Sequence, residues 1–120
     1  MVQIFKALSE DSRLRMLSLF VGGGDLCVCE VEEILGMTQS NASRHLTVLR
    51  NCGLLESYRK AQWTYYKLNQ TFISENRELW VYLRGKLMAY ATYDDDCKKL
   101  ESFRAADLCG CKTKKEKRNE

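Results

Sequence analysis

A mainly α-helical domain with one small β-hairpin is the fold class this sequence predicts, on three observations. Its 120 residues contain no proline and seven glycines, so helices can run long with few breaks. Apolar residues recur at three- and four-residue spacing over most of the chain. Two aromatic, branched runs, Leu54–Tyr58 and Trp63–Leu68, flank Arg59-Lys60-Ala61-Gln62 and read as a hairpin with a basic tip. The length suits one ordinary domain and excludes a large two-domain enzyme.

Taken in order, a short helix starts near Val2, and Leu14, Leu17, Phe20 and Val21 give a second over about 11–21. Gly22-Gly23-Gly24 reads as a loop. Val28, Val31, Ile34 and Leu35 form a third stripe of about two turns, and Gly36 suits its left-handed stop. Thr38-Gln39-Ser40-Asn41 is rich in capping side chains, and Ala42, Leu46 and Leu49 share one face of a fourth helix over 39–51. A short helix tightly joined to a longer one is the arrangement of a helix-turn-helix. Beyond the hairpin, from Thr71, Leu79, Trp80, Leu83, Leu87, Met88 and Ala91 predict a long helix to Tyr93 or past it, towards Leu100 and Phe103. That stripe exceeds what so small a core needs, which points to a homodimer formed through the terminal helices. We divide the chain at 1–93, a DNA-binding and dimerisation domain, and 94–120, a C-terminal extension with Cys97, Cys109, Cys111 and a basic tail.

The net charge of +3 comes entirely from residues 112–120; the rest is balanced. Within that neutral body, residues 38–67 hold Arg44, Arg50, Arg59, Lys60 and Lys67 against Glu56 alone, a localised basic surface suited to a polyanion. The start of the chain lacks the pattern of an export signal, and no apolar run approaches the ~20 residues of a membrane span. We therefore expect a cytoplasmic protein whose six cysteines stay reduced.

The stretches Ala7–Leu17, Gln39-Ser40 with Ser43-Arg44-His45-Leu46 and Leu49-Arg50, Gly53-Leu54 and Tyr65-Tyr66-Lys67-Leu68 together resemble the ArsR/SmtB family of metal-responsive repressors. The resemblance spans roughly residues 4–90 and implies a winged helix-turn-helix that binds double-stranded operator DNA as a homodimer, with no enzyme activity and no cofactor needed for DNA binding. Asp11 stands where that family usually has proline, and Ala61 where the wing turn often has glycine, so a wider wing turn is expected.

Residue types agree independently. Gln39, Ser40, Asn41, Ser43 and Arg44 crowd the first turns of the fourth helix, where side chains meet base edges and phosphates, and Arg50 follows on the same helix. Arg59 and Lys60 are placed for phosphates or a minor groove. His45 has two readings: the family's residue near the DNA backbone, or a histidine that packs locally.

Leu26-Cys27-Val28-Cys29-Glu30-Val31 resembles the family's arsenic-sensing motif, in which thiolates at the start of the third helix hold trivalent arsenic. Cys27 lies three residues before Glu30, where a capping box would carry Ser or Thr. A thiol there forfeits ~1 kcal/mol of capping, while a helix N-terminus favours the thiolate. Residues two apart on a regular helix point about 200° apart, so one ion reaching both sulfurs requires an unwound or irregular first turn. The plain alternative is that both are small core residues. Glu32 replaces the third cysteine of the motif, leaving Cys97, Cys109 or Cys111 as a further ligand; Cys109-Gly110-Cys111 could equally form a separate soft-metal site or a mobile tail. Cys52 reads as packing. Without histidine on the last helix, thiols select arsenite or antimonite, or else cadmium or lead. The function predicted is a repressor released from its operator when a soft ion binds cysteine thiolates; the alternatives are a cadmium or lead sensor and a thiol-disulfide redox regulator.

Overall fold

The computed structural model describes residues 1–106. Within them, seven helices and three strands follow in the order α1 (Val2–Leu8), α2 (Asp11–Gly23), β1 (Leu26–Cys27), α3 (Val28–Leu35), α4 (Gln39–Asn51), β2 (Leu55–Lys60), β3 (Trp63–Leu68), α5 (Gln70–Glu75), α6 (Arg77–Met88) and α7 (Tyr93–Ala105). The core gathers Met16, Leu17, Leu19 and Phe20 of α2, Val31 of α3, Leu46 and Leu49 of α4, and Leu83 and Leu87 of α6. This is a mainly helical winged helix-turn-helix, as the hydrophobic spacing predicts. Gly36 ends α3 at φ 65°, and Thr38 Oγ1 accepts the Asn41 N–H to start α4.

Four features depart from expectation. The hairpin belongs to a three-stranded antiparallel sheet of order β1-β3-β2, in which Leu26 pairs with Tyr66 and Cys27 with Tyr65. A two-residue strand leaves no periodicity to read. Second, the long C-terminal helix is broken. α6 ends at Met88 and α7 begins at Tyr93. Asp94, Asp95 and Asp96 occupy the first turn of α7, where the positive end of the helix dipole favours carboxylates. α7 then folds back onto the body, placing Leu100 in the main core and Asp96 in a bidentate ion pair with Arg15 at 2.9 Å.

Third, Gly22 and Gly23 are the last turn of α2 rather than a loop, and only Gly24 turns out of it at φ 74°. A Cβ on Gly22 would lie 2.4 Å from Cys97 Sγ, and one on Gly23 2.4 Å from Leu100 Cδ2. The glycines admit α7 against α2.

The wing turn is tight, not wide, because Lys60 pairs directly with Trp63 around Ala61-Gln62. Ala61 accepts φ 56° to close it, a left-handed conformation that costs an L-residue about 1–2 kcal/mol. Ala61→Gly is therefore expected to raise the unfolding free energy by about 1 kcal/mol, read as a shift in urea midpoint at constant slope; a lower midpoint would contradict the strain.

Candidate functional site

Two surfaces meet at the start of α4. The first is basic and polar: Gln39, Ser40, Asn41, Arg44 and Arg50 on α4, with Arg59 and Lys60 at the wing tip, are all exposed, and Ser43 is half-buried. Arg44 Nη2 donates to Asn41 Oδ1 at 3.4 Å, one turn back on the same face. Lys67 leans its ammonium over the Tyr58 ring, 5.7 Å from the centroid.

His45 does not belong to this surface. It is 4% exposed, with its ring turned inward. Arg13 bridges it to the rest of the fold: Nη1 lies 3.2 Å from His45 Nδ1, Nε donates to Ala7 O at 2.7 Å, and the guanidinium pairs with Glu10 at 2.9 Å. The α4 periodicity that buries Ala42, Leu46 and Leu49 carries residue 45 into the same interior face, so the helix is held to α1 and α2 by a buried imidazole. Burial pushes this imidazole below its ordinary value, with the Glu10 carboxylate opposing and Arg44 and Arg13 adding to the fall. A basic group with a depressed native pKa binds fewer protons folded than unfolded, so its stability contribution is complete above the unfolded value of 6.5 and is lost as pH falls through the native one. The melting temperature should fall between pH 7.5 and pH 5, and His45→Gln should flatten that dependence; an equal slope in both proteins would exclude His45 as its source.

The second surface is the cysteine pair Cys27 and Cys29. Cys27 is both the last residue of β1 and the N-cap of α3, with extended backbone at φ −92° and ψ 164°, whereas Cys29 lies inside the first turn. That change of backbone brings the sulfurs to 2.8 Å of each other. The irregular first turn that the spacing requires is thus built into the fold, and no unwinding is needed. Cys27 is 2% exposed against Tyr65, whose ring stacks on Tyr58 with centroids 5.4 Å apart; Cys29 is half-buried beside them. Glu30 Oε1 accepts the Cys27 backbone N–H at 3.0 Å, the carboxylate half of the predicted capping box.

The pair opens into a cavity of about 280 Å³. Val28 and Glu32 of α3 line it, Gln39 at the start of α4 forms one wall, and Gln62, Trp63 and Thr64 of the wing form another. Among the described residues no group of three or more His, Cys, Asp or Glu is placed to hold one ion. Cys97 accordingly does not join the pair. It sits between α2 and α7, where burial raises its thiol pKa despite a hydrogen bond with Tyr93. Cys109 and Cys111 lie outside the described residues. Cys52 donates to Leu49 O at 3.3 Å and packs against the core.

Sequence reading misses the supports of this site: the Cys27–Tyr65 pairing, the Tyr58 hydroxyl bonded to Asp25 at 2.7 Å, and Arg104 of α7 on Glu30 at 2.6 Å. Burial first, and then the bond to Asp25, push the Tyr58 hydroxyl up to about 12.

Residues 10–57 match the family model described as "Bacterial regulatory protein, arsR family". The fold is similar to that of HlyU from Vibrio cholerae, with a TM-score of 0.57 and 33% identity over 68% of this chain and 88% of that one. The chain belongs to the arsR family. Another similar structure is the homodimeric winged helix-turn-helix DNA-binding domain Mb0332 from Mycobacterium bovis, described as a possible ArsR-family regulator, with a TM-score of 0.59 and 26% identity over 71% of this chain and 78% of that one. Among named relatives, the arsenic resistance transcriptional regulator ArsR1 of Pseudomonas putida is 47% identical over 66 residues. That match covers 55% of this chain and only about half, 52%, of the relative's length. No helix of this arsR-family chain, among the described residues, is long and apolar enough to cross a membrane.

Proposed function

We propose that this arsR-family protein is a cytoplasmic, homodimeric transcriptional repressor that leaves its operator when trivalent arsenic binds Cys27 and Cys29. One observation carries the reading: two sulfurs 2.8 Å apart face a cavity whose other walls are the first residue of the recognition helix and the turn of the wing. Gln39, Ser40, Asn41, Ser43 and Arg44 read bases and phosphates from α4, with Arg50 beside them, and Arg59 and Lys60 hold the flanking backbone. The exposed apolar residues Met1 at the cap of α1, Val2 and Phe5 on α1, and Val81, Tyr82 and Met88 on α6 supply the dimer face. The 47% identity to an arsenic resistance regulator supports the choice of ion.

In the reduced protein, the chemistry is ligand exchange without redox change. Arsenous acid, As(OH)₃, and two thiols give two As–S bonds and two waters, with one hydroxyl left on arsenic. The arsenic and that hydroxyl then occupy the space between Gln39 and the wing. Because Cys27 shares the β1–β3 ladder with the wing and α3 leads through Gly36–Thr38 into α4, whatever moves the thiols moves both DNA-reading elements. Ligand and operator then oppose each other reciprocally.

Fluorescence anisotropy of reduced protein on its own upstream DNA tests this. Binding should weaken steeply with salt, and the double variant Arg59→Ala, Lys60→Ala should flatten the log–log slope by about 0.9 for each phosphate it no longer neutralises. Micromolar arsenite should release the complex. An operator complex indifferent to arsenite but released by cadmium, lead or an oxidant would overturn the choice of inducer, and absence of duplex binding would overturn the whole reading.

A further inference from the structure

We propose that Arg104 is a positioning residue for the thiol pair, so that α7 sets the affinity of the site for its inducer. The inference rests on the reading of Cys27 and Cys29 as inducer ligands. Glu30 is 1% exposed, and a carboxylate at that depth persists only when its oxygens are occupied. Its Oε1 takes the Cys27 N–H, and its Oε2 takes Arg104 Nε at 2.6 Å. The same guanidinium continues past Glu30: Nη1 donates to Gly23 O at 3.2 Å and Nη2 to Asp25 O at 3.0 Å. Gly23 closes α2 and Asp25 directly precedes β1, so one planar fork grips the backbone on the entry side of Cys27 and, through Glu30, on its exit side.

The separation of the two sulfurs depends on that backbone. Cys27 reaches Cys29 only because it is extended while the residue after it is helical, and Arg104 ties down both halves of that change. Asp25 also takes the Tyr58 hydroxyl, so the grip extends to wing strand β2. A lysine could satisfy one of these acceptors but could not span them, since the ammonium is a point and the guanidinium a fork. None of Glu30, Gly23 and Asp25 is itself one of the α4 or wing-tip residues assigned to DNA.

The test uses the full-length, reduced protein and Arg104→Lys, which keeps the charge and loses the fork. Three quantities are compared with the parent: arsenite affinity from tryptophan fluorescence, the iodoacetamide alkylation rate of Cys27 from peptide mass spectrometry, and operator affinity. We expect arsenite to bind about tenfold more weakly, as when an outer-shell partner of a ligand is lost, Cys27 to be alkylated several-fold faster, and operator affinity to fall by a smaller factor than arsenite affinity, because Arg104 reaches the DNA-reading elements only through the backbone around Cys27. A general loss of structure would instead move all three together. If Arg104→Lys fails to fold by circular dichroism, the neutral pair Glu30→Gln, Arg104→Gln replaces it. A folded variant with parental arsenite affinity and parental alkylation overturns the proposal. If the parent binds no arsenite while Arg104→Lys still speeds alkylation, the inducer reading fails and the positioning role stands.

Discussion

Cys27→Ser is expected to yield a more stable protein that no longer responds to arsenite. Serine at the N-cap of α3 would accept the Glu30 backbone N–H more strongly than the thiol that already fills that half of the capping box, and should add up to about 1 kcal/mol of stability. The same change deletes one of two arsenic ligands. Loss of an outer-shell partner costs about 10- to 100-fold in affinity, so loss of a direct ligand should exceed about 100-fold. Cys29→Ser, which lies past the cap, should lose the response without the gain in stability. Denaturant midpoints and arsenite titrations of the operator complex read the two quantities separately. A Cys27→Ser protein that is less stable and still released by arsenite would make the thiol a packing residue after all. Stability rising as function disappears is the expected mark of a residue kept for its chemistry.

Arg15→Met is expected to destabilise the fold strongly. Asp96 is 1% exposed and receives two hydrogen bonds from Arg15, at 2.9 Å each. Removing one member of a buried pair strands the other charge, at about 3–5 kcal/mol; the Arg15 side chain is 29% exposed, which brings the expected loss to about 2–3 kcal/mol. For a chain of this length that is on the order of 10 °C in Tm. Asp96→Asn in the same background should restore part of it, because the amide needs no countercharge.

The acid limb gives an independent check. Burial, the largest influence, would raise the Asp96 carboxyl, but the Arg15 hydrogen bond and charge, together with Thr92 and Lys99, outweigh it and hold the carboxyl below its usual 3.8. In the parent, this contribution is present above 3.8 and is lost as pH falls through the depressed native value. Without Arg15, burial is opposed only by Thr92 and Lys99 and the native carboxyl rises, so the difference between variant and parent should shrink as the pH is lowered. A difference constant with pH would mean that the damage comes from packing and not from the ion pair.

The elements that can be read in the sequence are those whose signal is local. α2, α3, α4 and the hairpin follow from apolar spacing, caps and branched runs, and Cys27 with Glu30 is visible as a cap built from an unsuitable residue. What escapes is set by partners distant in sequence. Gly22-Gly23 reads as a loop until α7 is known to lie against it, and β1 exists only because β3 accepts it. Arg104 offers no local reason to be paired with Glu30, 74 residues away. The break between α6 and α7 does leave a mark in Asp94-Asp95-Asp96, three carboxylates better suited to starting a helix than to continuing one. His45 is legible in part: its spacing with Ala42, Leu46 and Leu49 places it on the inner face, and family resemblance pulls the reading outward.

Cys27 and Cys29 stand two residues apart in one chain, with their sulfurs 2.8 Å from each other, so both sulfurs of a pair belong to the same protomer. In a dimer, each half would then carry its own pair of sulfurs, and occupancy of one pair would not require the other. A mixed dimer with one Cys27→Ser half should follow arsenite in a single shallow step, loosened but not emptied from its operator. Gene output would then be graded by dose like a rheostat, its steepness set by how much of the grip on DNA one half can sustain alone.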